Sequence, residues 1–142
     1  MLLTLHLLAT AAMAGLIWFV QLVHYPLLHL VGPEGFVEYE AAHRRRTALV
    51  VGPLMAVEGV TALGVVAVLR NEVGLVLPSV GLVLLAVIHL STVVVQVPAH
   101  TALSAGYDRF VVRRLVSTNW IRTGGWSLRT IVAALMLISA AS

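Results

Sequence analysis

The sequence predicts an all-α integral membrane protein: an up-down-up-down four-helix bundle with short interfacial helices in its two cytoplasmic loops, forming one domain over residues 1–142. Three observations carry this reading. Of the 142 residues, 60% are apolar and only 11% charged, against roughly 45–50% and about 25% in soluble domains. A chain this small has too large a surface to be covered by so few polar side chains, so the apolar excess must face lipid. Four apolar stretches are long enough to cross a hydrocarbon core of ~30 Å, which takes about 20 helical residues. The arginines, finally, gather beside alternate connections.

The first span runs from Leu2 to about His24. Leu2–Ala11 followed by Ala12-Met13-Ala14 imitates a secretory signal, but no basic segment precedes it and the apolar run continues through Ile17, Trp18, Phe19 and Val20. It is therefore read as a retained span. The second span covers Thr47 to Leu69, the third about Leu75 to Val97 and the fourth about Ser117 to Ala141. Each must be helical, because backbone amides in lipid have to be satisfied within their own segment.

Spans two and three are joined only by Arg70-Asn71-Glu72-Val73-Gly74. The other two connections, about 25–46 and 98–116, are long. Arg44, Arg45, Arg46, Arg109, Arg113, Arg114 and Arg122 lie on their side, against Arg70 on the other. The positive-inside rule then puts both long loops in the cytoplasm, with both termini outside. Pro33-Glu34 starts a short helix carrying Phe36, Tyr39, His43 and Arg46 at helical spacing. Asp108 caps a second, in which Phe110, Val111, Leu115 and Val116 alternate with Arg109, Arg113 and Arg114. Such segments suit an anionic headgroup layer, and the arginines are better explained by lipid than by nucleic acid.

Charges at mid-membrane are expensive, so those present face the bundle interior and find partners. Glu58 lies ~18 Å along the helix from Arg46, His89 about 13–14 Å before Pro98, and Arg129 ~18 Å before the end of span four. Three helices thus bring ionisable groups to similar depth. The sequence predicts a Glu58–Arg129 ion pair with His89 nearby, either a catalytic charge relay or a tie that fixes helix register. On span three, His89, Gln96 and His100 project within about 40° of one another at 100° per residue. On span four, Asn119, Arg122, Trp126 and Arg129 occupy an arc of roughly 80°. Gly124-Gly125, in the middle of that arc, permits close packing or a kink. His6 stands by itself on the outer side, with no partner that the sequence offers.

Five histidines, His24, His29, His43, His89 and His100, lie in or toward the cytoplasmic half, with Glu38 and Glu40 nearby. Glu40-Ala41-Ala42-His43 has the Glu-x-x-His spacing found, in two copies, in carboxylate-bridged di-iron bundles. His24, Glu40, His43 and His100 are accordingly the candidate metal ligands, with iron as the metal. Heme b is the competing cofactor, with imidazoles of facing helices as axial ligands. His24, His100, Asn119, Arg122 and Trp126 are the candidate cofactor-binding residues. With no cysteine in the chain, thiolate ligation and cysteine nucleophiles are excluded. There is no Gly-x-Ser-x-Gly and no phosphate-cradling glycine loop. A channel or transporter is disfavoured in a single small bundle with no obvious repeat.

Two resemblances bear on function. Gln96-Val-Pro-Ala-His100, then Leu103, then Leu115-Val-Ser-Thr-Asn119-Trp120-Ile-Arg122-Thr123 and Trp126, resembles the small four-span bacterial family related to anthrone oxygenases. There a Val-Pro-x-Asn-like end of the third span precedes a Trp-Asn-x-x-Arg-Thr-like start of the fourth; this chain has His100 where asparagine is common. The first span, with His6, Trp18 and Phe19, is similar to the membrane protoporphyrinogen oxidase that binds heme b. Together they imply an oxidoreductase or oxygenase-like protein acting on a hydrophobic, quinone-like small molecule in a His-rich pocket. The alternative is a non-catalytic accessory subunit, associated with other membrane subunits or with copies of itself, in which the buried polar groups are structural.

Overall fold

In the computed structural model, which describes residues 1–141, four helices are long and apolar enough to cross a membrane: α1 (Leu2–Leu30), α2 (Pro33–Val68), α3 (Val76–Leu103) and α4 (Arg109–Ser139). A single helical turn, Arg70–Val73, links α2 to α3. It is closed by Gly74 at φ 70°, a left-handed conformation that glycine adopts without steric cost.

The expected short loop helices are not separate elements. α2 runs unbroken for 36 residues from Pro33, which occupies its first turn. Between Phe36 and Val51 the sequence holds no proline or glycine to interrupt it. α4 likewise begins at its cap and continues into the fourth span. The Asp108 carboxylate accepts hydrogen bonds from the backbone N–H groups of Phe110 (2.7 Å) and Val111 (3.1 Å), as an N-cap does.

α1 and α3 share an irregularity that was not expected. Each contains a five-residue π turn, Val20–His24 in one and Thr92–Gln96 in the other. Two residues beyond the end of each lies a proline, Pro26 or Pro98. Proline has no N–H to donate, and its ring crowds the carbonyl four residues back. Those carbonyls belong to Leu22 and Val94, inside the π turns, where the wider spacing makes room. The local cost of proline thereby becomes a shift of helix register at the same end of two helices.

Three buried apolar clusters stack along the bundle. Leu3, Val65, Val73, Val132, Ala133 and Met136 fill one end, and Met13, Ile17, Ile88 and Trp126 the middle. Tyr25, Leu28, Phe36, Ala99, Leu103, Val112 and Leu115 fill the other end. Leu8, Phe19, Leu49, Val60 and Leu90 are exposed, as apolar side chains against lipid would be. Of the paired glycines, Gly125 is the one that lets helices approach. A Cβ there would lie 2.7 Å from Ile88 Cγ1, whereas one at Gly124 meets nothing within 4 Å.

Candidate functional site

The bundle interior holds two polar assemblies. The first is built on Glu58, fully buried in α2. Its carboxylate accepts from Arg129 Nε at 2.7 Å and from Trp126 Nε1 at 2.9 Å. Arg129, also buried, donates through a second nitrogen to the Gly81 carbonyl of α3. The predicted ion pair therefore forms, and α4 supplies both donors because Trp126 and Arg129 are one helical turn apart. His89 does not join it. Its Nδ1 donates to the Leu85 carbonyl of its own helix at 3.0 Å.

A histidine that does lie beside this assembly is His6, for which the sequence offered no partner. Thr61 Oγ1 donates to the Val57 and Glu58 carbonyls (2.8 and 3.1 Å). With its one proton so used, it accepts from His6 Nδ1 at 2.9 Å. Beside it, a void of about 10 Å³ is lined by His6, Gly81 and Arg129 among others. That is room for roughly one water molecule and no substrate.

The second assembly surrounds a cavity of about 760 Å³. Leu16, Ile17 and Val20 of α1, Ala48 and Val51 of α2, and Val97 of α3 give it apolar walls. Tyr25, His43, Gln96, His100 and Arg122 give it a polar end, and Arg44 and Arg45 also line it. Val20, Thr92 and Gln96 come from the two π turns, so the register shifts in α1 and α3 shape this cavity.

At the polar end, His100 is held by both ring nitrogens. Nδ1 lies 2.7 Å from Oε1 of the buried Glu40, and Nε2 lies 3.1 Å from the Tyr25 hydroxyl. Opposite a carboxylate, Nδ1 carries the proton. In the neutral imidazole Nε2 is then an acceptor, and Tyr25 donates to it. In the imidazolium Nε2 donates to Tyr25, whose proton turns to Gln96 Oε1 at 3.3 Å. Gln96 Nε2 donates to Thr118 Oγ1 at 3.0 Å, which fixes the amide. The arrangement is a carboxylate, an imidazole and a phenol in series, with imidazole and phenol both on the cavity wall.

Arg122 closes the same end from α4. It is only 6% exposed. Its NH1 donates to Asn119 Oδ1 at 3.2 Å, and its guanidinium carbon lies 5.2 Å from the Trp126 ring centroid. Asn119 in turn donates to Gln21 Oε1 at 2.9 Å. Of the five residues expected around a cofactor, Arg122 and His100 line the cavity, while Asn119 and Trp126 hold Arg122 in place.

The expected metal ligands do gather, but not as a ligand set. His24 stacks on His43 with ring centroids 4.4 Å apart and planes 20° from parallel; His43 and His100 follow at 5.1 Å and 32°. Nitrogen lone pairs lie in the ring planes, so stacked rings hold them side by side rather than aimed at a common centre. Glu40 Oε1 and both nitrogens of His100 are already engaged with protein partners. Among the described residues, no group of three or more His, Asp or Glu side chains is placed to hold a metal ion. Glu40 pairs across the bundle with α3 rather than along its own helix with His43.

Tyr25, Gln21 and Thr61 were missed by sequence reasoning. Gln21 lies in the π turn of α1 and Tyr25 directly follows it, where regular helical spacing fails as a guide. Comparison of the chain with protein families, with curated proteins and with solved structures finds no match.

Proposed function

We propose that the chain is a four-span protein of the bacterial inner membrane, with both termini outside and its long loops cytoplasmic. It admits a hydrophobic, quinone-like small molecule to the cavity and acts on it as an oxidoreductase- or oxygenase-like protein. The observation that carries this reading is the cavity: about 760 Å³, within the roughly 300–1,000 Å³ typical of ligand sites, apolar for most of its wall and polar at one end. An up-down-up-down path is supported by Leu2 lying against Gly64, and by Gly81 lying against Arg129 and Val132, which bring the start of one helix beside the end of the next.

The chemistry this site supports is proton exchange. A molecule whose oxygen reaches the polar end meets the Tyr25 hydroxyl, backed by His100 and Glu40. Glu40 orients the imidazole through Nδ1, which turns Nε2 toward the Tyr25 hydroxyl, so that Tyr25 can exchange a proton with the bound oxygen on one side and with His100 on the other. Quinone-like molecules gain and lose protons at such oxygens when they change oxidation state. With no cysteine in the chain, thiol redox chemistry is not on offer, and the residues named serve protons and position. In this reading the resemblance to the anthrone-oxygenase-related family lies beside the cavity, since Gln96, His100 and Arg122 line it and Asn119 and Trp126 hold Arg122 in place. The Glu58–Arg129–Trp126 assembly, with space for a water molecule only, serves as an internal tie between α2, α3 and α4.

Calorimetric titration of the purified protein, in a neutral maltoside detergent, with a decyl-substituted benzoquinone tests the reading. Saturable binding is expected, and it is expected to vanish in Ala48→Trp, whose indole fills the cavity from a wall position. Absence of binding to the unmodified protein, or equal binding by the filled variant, would refute it.

A further inference from the structure

Among the described residues the bundle holds two ion pairs, His100–Glu40 and Arg129–Glu58. Both buried carboxylates are thereby engaged. The other acids, Glu34, Glu38, Glu72 and Asp108, are exposed. Arg122 is left as a buried guanidinium with no carboxylate partner. It lines the cavity, it is 6% exposed, and its Nε–H is buried with no hydrogen-bond acceptor. Asn119 and the face of Trp126 orient it, but an amide oxygen and a ring quadrupole do not neutralise a full positive charge.

A cation is expensive in an apolar interior, and the cost is met when an anion joins it. We infer that the cavity takes an amphiphile with an anionic head, carboxylate or phosphate, seated on Arg122, and an apolar tail laid along Leu16, Ile17, Val20, Val51 and Val97. This rests on the reading of the cavity as a ligand site and adds the charge of what occupies it. Arg122 sits beside the Tyr25 hydroxyl, so an anion held there stands next to the phenol–imidazole–carboxylate series. Arg44 and Arg45, exposed but also lining the cavity, add positive potential along the route by which an anion would arrive. Nothing negative lines the cavity to oppose it.

The test compares three probes of one tail length, dodecanoate, dodecyl phosphate and dodecanol, titrated into the purified protein in neutral detergent. At least one anion binds tenfold or more tightly than dodecanol, and whichever binds more tightly identifies the head. Arg122→Gln lowers the anion's affinity at least tenfold and changes that of dodecanol less than twofold, while Arg122→Lys keeps most of the preference. Equal affinity of dodecanol and both anions in the unmodified protein overturns the inference, and that comparison stands even if Arg122→Gln fails to fold. So does a parallel loss of all three in a folded Arg122→Gln protein. If no dodecyl probe binds while the decyl-substituted benzoquinone still does, the inference is overturned and the ligand-site reading stands; if neither the quinone nor any dodecyl probe binds, or Ala48→Trp binds them all undiminished, the ligand-site reading itself fails.

Discussion

Glu58 accepts from two donors of α4, and neither Arg129 nor Trp126 has another carboxylate within the described ion pairs. Removing one member of a buried pair leaves the other charge uncompensated, at about 3–5 kcal/mol. Glu58→Gln is therefore expected to lower the thermal unfolding midpoint in detergent by about 10 °C. Val57→Ala, one position away at an exposed residue, should shift it far less; unchanged stability of Glu58→Gln would contradict the pairing. This pair was legible in the sequence because depth along a helix follows from residue count alone, and Glu58 and Arg129 share a depth. The Glu40–His100 pair was not. Glu40 fits a local Glu-x-x-His pattern with His43, and only the fold shows that its carboxylate turns instead toward α3.

The helices account for the remaining differences. Wheel arithmetic assumes about 100° per residue throughout, and a π turn inserts one residue, rotating everything beyond it by about that angle relative to what precedes it. His89 lies before the π turn of α3 and His100 beyond it. Placing them on one face was bound to fail for one of the two, and it is His89 that turns back to its own helix. The prolines that prompt the π turns are plain in the sequence, yet Pro53 sits inside α2 without one, so proline alone does not forecast the irregularity. The paired glycines of α4 separate packing from propensity. Gly125→Ala drives a methyl into Ile88 and should cost about 1–3 kcal/mol. Gly124→Ala, with open space around it, should be neutral or gain up to about 1 kcal/mol of helix propensity. Unfolding midpoints of the two variants in the same detergent check this, and a Gly125→Ala protein as stable as Gly124→Ala would show that α3 and α4 do not approach so closely there.

At the scale of the whole molecule, composition pointed to lipid, with 11% charged residues, and the four apolar stretches, each about 20 residues and too long for barrel strands, specified helices. The cavity was beyond its reach. Its wall includes Val20, Thr92 and Gln96 from the two π turns, a local backbone feature that composition does not encode. The same turns bring Tyr25 and His100 to the wall of a space that Arg122 enters from the fourth helix. If this space is a ligand site, a cryo-electron-microscopy structure of the protein in a lipid nanodisc will show an elongated molecule between α1, α2 and α3 with its head at Tyr25, His100 and Arg122; a cavity closed by inward-turned side chains, with Arg122 drawn to another protein carboxylate, would rule it out.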